Sequence, residues 1–267
     1  MHEPSAGMRL VRLFGASLLF NIAFYTVTTA WSVFGYTCLL TSKPDRLILF
    51  GRSWARVVIR MLRLICGIHV RITGLQHVPW DGPALIASVH QSAFDTAIWM
   101  LLPRPSYVLK KELLRVPLFG ALMRPSGMIV VDRRAGARAI RDLMRAGKRA
   151  RDDGRQVVIF PEGTRARPGE PHIVQPGVAA LAAAMGVPVI PVATNSGEHW
   201  GRKSFLKVPG LISIAIGSPL PANLPRAELV KAIEAAWREL EDKLIEPVDN
   251  PVGDVVAAFA SRARATA

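Results

Sequence analysis

No charged residue interrupts residues 13–40. As one helix this run extends about 40 Å at ~1.5 Å per residue, more than the ~30 Å hydrocarbon core of a bilayer. Arg9 and Arg12 precede it, and Lys43 and Arg46 follow it. Basic flanks on both sides leave its orientation open. Gly15, Asn21 and Gly35 are points at which it can bend or divide. Basic residues ahead of an apolar run also open a secretory signal. This run is long for such a signal and no small-x-small cleavage site follows, so a retained membrane segment is expected. Residues 47–68 then interleave Trp54, Val57, Val58, Met61, Leu62, Leu64 and Ile65 with Arg52, Arg56, Arg60 and Arg63. At helical spacing the arginines share one face. That pattern suits an interfacial helix that meets acyl chains and phosphates, or an ordinary helix with a solvated basic side.

Charge points the same way. The 267 residues carry 34 Lys+Arg against 20 Asp+Glu, a formal net charge of +14. Such a balance draws a protein toward polyanions, either nucleic acid or anionic lipid. The aromatic share is low and no zinc-finger, RNP-like or basic-zipper pattern is present, so anionic membrane lipids are the expected partner and nucleic acid is not. Cys38 and Cys66 have neither metal-ligand spacing nor the look of a disulfide framework.

Beyond residue 68 short apolar runs alternate with helical stretches. Residues 69–73, 84–89, 107–109, 127–131, 157–160, 187–192 and 211–216 read as strands. Residues 96–102, 135–151, 178–185 and 226–244 read as helices, the last with Val230, Ile233, Trp237, Leu240 and Leu244 on one core-facing stripe. The alternation predicts an α/β fold, a mainly parallel or mixed central sheet flanked by helices, behind an N-terminal apolar membrane-associated helical segment. We divide the chain into that segment (1–64), a globular domain (65–246) and a C-terminal tail (247–267). The tail reads as loosely ordered, with a turn of helix possible over 255–261.

Two motifs carry the chemistry. HQSAFD, residues 90–95, follows a strand and sets His90 five residues before Asp95. A neutral imidazole accepts a proton near pH 7, and a carboxylate fixes its tautomer and stabilises the cation that forms. No G-x-S-x-G nucleophile motif accompanies it, so the nucleophile is read as a substrate hydroxyl. FPEGTR, residues 160–165, closes another strand. Gly163 allows a turn with inward N–H groups, and Arg165 offers a two-pronged clamp for a phosphate. Glu162 is free to orient that arginine or to bind a substrate hydroxyl; a structural Glu–Arg pair is the plainer alternative. Together the motifs suggest acyl transfer onto a phosphate-bearing lipid alcohol. Arg138, Arg141, Arg145 and Lys148 recur on one helical face, either solvated or set to meet lipid head groups or a coenzyme A donor.

At this point the chain resembles the 1-acyl-glycerol-3-phosphate acyltransferases over roughly residues 65–220. HQSAFD, KKELLRVPLFG (110–120), FPEGTR and VPVIPVA (187–193) match that family's four blocks in order. The resemblance implies His90 as general base and Asp95 as its partner. It implies a glycerol-phosphate site at Glu162, Gly163, Thr164 and Arg165, a pocket shaped by Lys110, Glu112 and Gly120, and a turn at Pro191. Ala166 stands where a serine often follows the arginine, and Gln175 and Pro176 where a basic residue is frequent. The implied reaction moves a fatty acyl group from acyl-CoA or acyl carrier protein to the sn-2 hydroxyl of lysophosphatidate, giving phosphatidate, without metal or cofactor. The implied place is the inner membrane, active site toward the cytoplasm. Another lyso-lipid acceptor, such as lyso-ornithine lipid, is the alternative within the class. A non-catalytic basic membrane tether is the alternative outside it.

Overall fold

The computed structural model describes residues 6–39, 44–221, 223–245 and 254–265. Leu40 and Lys43, at the end of the apolar run, and residues 247–253 of the tail lie outside them. The N-terminal run forms one helix, α1 (Ala6–Leu39), followed by the amphipathic α2 (Pro44–Cys66). Neither Gly15 nor Asn21 nor Gly35 divides α1. Most of α1 is exposed, with Leu10, Val11, Phe14, Leu19, Ile22 and Phe34 facing outward. It has the length and composition to cross a membrane.

The other side of α1 is clasped to the globular part. Buried Phe20 meets Trp200 edge-to-face at 5.3 Å. The Lys207 ammonium lies 5.6 Å over the Phe20 ring and 5.2 Å over that of Trp200. It donates to Asn21 Oδ1 at 3.0 Å and to the Phe205 carbonyl at 2.8 Å. Asn21 is therefore a clasp residue rather than a bend.

The globular part alternates as expected, with β1 (Ile68–Thr73), β2 (Ala84–Ser88), α3 (Phe94–Trp99), β3 (Pro105–Lys110), a short α4 (Gly120–Met123), β4 (Ile129–Val131), α5 (Ala137–Asp152) and β5 (Gln156–Ile159). It continues through α6 (Gly177–Met185), β6 (Val189–Thr194), a short α7 (Ser196–His199), β7 (Gly210–Ile216), α8 (Arg226–Ile245) and α9 (Val255–Ala265). The seven strands form one sheet in the order β1-β7-β6-β2-β5-β3-β4. Every pairing is parallel except β6 with β7. Helices cover both faces, so β2, β5 and β6 are buried throughout and read as continuous apolar runs.

One face packs against α2, α3 and α9, and the other against α5, α6 and α8. Ala55, Val58, Leu62 and Cys66 of α2 enter the same core as β1. Arg60 and Arg63 stay exposed, whereas Arg52 leaves the basic row and donates to the carbonyls of Leu102 and Pro103 at 2.9 and 2.8 Å. The turn of helix expected over 255–261 is part of a longer helix, α9, that packs on the core. Val255, Val256 and Phe259 of α9 are buried in that core, and Phe259 meets Trp80 edge-to-face at 5.4 Å. Its apolar residues are too few to mark a helix by period, yet enough to cover β1.

Three neighbouring strands fix the site. The residues after β2, β5 and β6 emerge at the same edge, because β2 lies parallel between the other two. In parallel sheets reactive groups gather at the carboxyl ends of the strands.

Candidate active site

His90 stands two residues beyond β2. Its Nδ1 lies 3.0 Å from Asp95 Oδ2, and its ring stacks on Phe160 with centroids 4.0 Å apart. Asp95 sits in the first turn of α3 with only 2% of its surface exposed. Its Oδ2 also accepts the backbone N–H groups of Gln91 and Ser92, both at 2.8 Å, and its Oδ1 accepts the Ser196 hydroxyl at 2.5 Å. These donors fix the direction of both carboxylate oxygens. Donation from Nδ1 to Asp95 leaves Nε2 of His90 with a lone pair, the form a base requires. The turn between β2 and α3 brings His90 and Asp95 together, as the sequence reading expects.

The 160–165 turn closes over the same loop. Gly163 has φ +77° and its carbonyl accepts from Arg133 Nη1 at 2.7 Å; a Cβ there would stand 2.6 Å from the same Nη1. Glycine serves both needs. The Arg165 guanidinium is half-buried. Burial lowers its pKa from the ordinary value; nearby Asp95 opposes this and Arg202 adds to it. Thr164 is exposed on the turn.

Glu162 differs from expectation. Its side chain is 6% exposed. Its Oε2 accepts the backbone N–H of His90 at 2.7 Å, and its Oε1 lies 2.6 Å from His172 Nδ1. Among the described residues no hydrogen bond or ion pair joins it to Arg165. His172 Nε2 in turn lies 2.6 Å from Glu241 Oε1 on α8. The Glu162 bond raises the His172 pKa to about 8, with burial opposing and Glu241 adding to the rise.

The three candidates of the second block have different settings, although Leu113, Val116 and Phe119 of the same block line the apolar cavity described below. Lys110 closes β3 and is exposed. Glu112 lines a cleft of about 230 Å3 with Lys111, Arg115, Asp132 and Arg134. Gly120 is buried at the start of α4, where a Cβ would stand 2.1 Å from the Leu114 carbonyl oxygen. Pro191 corrects an expected turn. It lies inside β6 opposite Ala87, and its carbonyl accepts from Gly217 at 2.9 Å. Its missing N–H faces the side on which β7 ends, so the ladder loses nothing. On α5, Arg138 and Arg145 flank Asp142 along a cleft of about 750 Å3, while Arg141 and Lys148 face solvent.

Beside the His90 loop lies an apolar cavity of about 400 Å3. Trp31, Trp54, Met100, Tyr107 and Leu122 are among its walls, and Arg165 contributes a charge. It runs between α1 and α2 on one side and α3, β3 and α4 on the other. His90 is not itself on the wall. It connects through Asp95, whose neighbour Thr96 lines the cavity, and through Phe160, which stacks on both His90 and Tyr107. The arrangement offers a base, a cation and room for a hydrocarbon chain within one region.

His172, Glu241 and Ser196 carried no readable signal. They reach the loop from 10, 69 and 101 residues away along the hydrogen-bond chain.

Residues 69–195 match the family model described as Acyltransferase. The chain is 37% identical over 209 residues to the 1-acyl-sn-glycerol-3-phosphate acyltransferase of Pseudomonas aeruginosa, covering 75% of this chain and 79% of that one. It is 27% identical over 220 residues to the protein of the same name from Salmonella typhimurium, covering 81% and 87%. Its fold is similar to the crystal structure of a 1-acyl-sn-glycerophosphate acyltransferase from Thermotoga maritima, with TM-score 0.71, 22% identity, and coverage of 91% of this chain and 100% of the other.

The carboxylate clamp on His172 makes stability pH-dependent. A histidine pKa raised from 6.5 to about 8 gives stabilisation that is complete below the lower value and lost as pH rises through the upper one. At about 1.4 kcal/mol per pH unit this amounts to about 2 kcal/mol. Denaturant unfolding in detergent is expected to show wild type more stable than H172Q by a margin that narrows by that amount between about pH 6 and about pH 9. A margin constant across that range contradicts the clamp.

Proposed function

The chain belongs to the 1-acyl-sn-glycerol-3-phosphate acyltransferase family, and on that footing we propose that it moves a fatty acyl group from a thioester to the sn-2 hydroxyl of lysophosphatidate, giving phosphatidate. The observation that carries the reading is the hydrogen-bonded His90–Asp95 pair, set beside an apolar cavity that Arg165 lines. His90 Nε2 takes the hydroxyl proton as the oxygen attacks the thioester carbonyl carbon. Asp95 steadies the imidazolium. The tetrahedral adduct collapses, the C–S bond breaks, and the imidazolium returns its proton to the departing thiolate. General-base help of this kind is worth ~10²- to 10⁴-fold in rate.

Arg165 is read as the phosphate clamp, since a half-buried guanidinium keeps its charge and binds phosphate through two parallel bonds. The apolar cavity is read as the seat of a hydrocarbon chain. Glu162, Gly163 and Thr164 are read as shaping the turn that presents Arg165. Lys110, Glu112, Gly120 and Pro191 have structural settings that support a scaffold rather than a contact with the acceptor. No cofactor is invoked, and acyl-CoA or acyl carrier protein supplies the acyl group. The exposed apolar flank of α1 associates the protein with a membrane. Placement in the inner membrane, with the site toward the cytoplasm where acyl thioesters are made, is part of this proposal.

His90→Ala is expected to abolish phosphatidate formation, by about 10²-fold or more, with membrane association unchanged. An assay of the purified protein with each donor class, read by lipid mass analysis, checks this. Turnover that survives the substitution sinks the mechanism, and acyl transfer confined to lyso-ornithine lipid redirects the acceptor. Arg165→Ala is expected to raise KM for lysophosphatidate about tenfold or more, as loss of a charge-assisted bond does, with a smaller change in kcat. An unchanged KM argues against phosphate binding there.

A further inference from the structure

A neutral imidazole carries one N–H, and it cannot donate to two carboxylates at once. Both nitrogens of His172 face carboxylate oxygens at 2.6 Å, Glu162 on one side and Glu241 on the other. Carboxylates are acceptors only, so the geometry is that of an imidazolium with both protons in use. The His172 side chain is 9% exposed and its ring meets Trp237 edge-to-face at 5.4 Å. Trp237 itself donates to the Ala87 carbonyl of β2 at 3.1 Å, three residues before His90.

We propose that His172 is a positioning residue for acyl transfer: clamped between Glu162 and Glu241, it fixes the Glu162 carboxylate whose other oxygen holds the backbone of His90. This rests on the reading of His90 as general base and deepens it. The Glu162 carboxylate is buried and needs a balancing charge. His172 supplies that charge, and the pair sets the direction of the His90 N–H and hence the entry of its side chain into the site. Misplacement of a reacting group by about 1 Å can cost about 10²-fold in rate.

The groups facing His172 come from two elements. The turn after β5 contributes Glu162, which reaches on to His90 and through it to Asp95. Helix α8 contributes Glu241 and neutral Trp237, and also Glu234, whose Oε1 accepts the Val174 N–H at 3.3 Å two residues along. The carboxylates favour the imidazolium, whose pKa stands at about 8. Above that pH one hydrogen bond is lost and Glu162 loses its counter-charge. The clamp therefore predicts an alkaline decline in kcat that originates outside the substrate pocket.

Glu241 is the lever for a test. Its side chain is 40% exposed on α8, and its removal weakens His172 protonation without entering the cavity. kcat and KM are measured with lysophosphatidate and acyl-CoA from about pH 6 to about pH 9 for wild type, E241Q and H172Q. The alkaline limb of kcat is expected to move to lower pH in E241Q, with KM for both substrates within about twofold. H172Q is expected to lose about tenfold in kcat and to lose that limb. Should H172Q fail to fold, E241Q alone decides. An active wild type whose alkaline limb is missing, or unmoved in E241Q, overturns the clamp and leaves the acyltransferase reading intact. A wild type that transfers no acyl group at any pH overturns that reading instead.

Discussion

A buried carboxylate must be fully satisfied or it destabilises the fold, and Asp95 organises the site through that requirement. Its four donors come from the loop after β2 and from the start of α7 after β6. The loop thus folds around an anion. Gln91 and Ser92 turn their N–H groups inward, and the imidazole completes the shell. Gln91 adds a second tie, accepting the Gly197 N–H through its Oε1 at 3.1 Å. Chain geometry and proton chemistry depend on the same oxygens.

The apolar helix and the site are one construction. Lys207 has almost no exposed surface, yet its ammonium is satisfied by carbonyls, an amide oxygen and two aromatic faces. Those bonds pin α1 against the loop that follows α7. Pinned there, α1 supplies Thr28 and Trp31 to the apolar cavity while its outer flank stays greasy. The wall of the apolar cavity is therefore partly the N-terminal apolar helix itself.

Much of this was legible in the sequence for a physical reason. Strands buried on both faces, such as β2, β5 and β6, show as short continuous apolar runs, and α5 and α8 show their period. HQSAFD and FPEGTR were legible because each motif is local. What escaped depends on contacts between distant segments. Glu162 reads as a candidate ligand for an arginine or a hydroxyl, yet its oxygens serve His90 and His172. Pro191 reads as a turn former, but the early end of β7 lets it sit within a strand. Ser196 and Glu241 have no pattern of their own, since a single hydroxyl or carboxylate leaves no period. Of the C-terminal helix only a turn over 255–261 was legible, because burial of Val255 and Phe259 is decided by the open flank of β1 and not by the helix's own composition.

The central claim is that Asp95 holds an imidazole that acts as a base. The most direct measurement is the steady-state kinetics of Asp95→Asn with lysophosphatidate and acyl-CoA. The substitution keeps the size of the side chain but offers His90 an amide in place of an anion, favouring the wrong tautomer. The account predicts a fall in kcat of about 10²- to 10⁴-fold with KM values close to wild type. A kcat within about threefold of wild type, in a variant that folds normally, contradicts it.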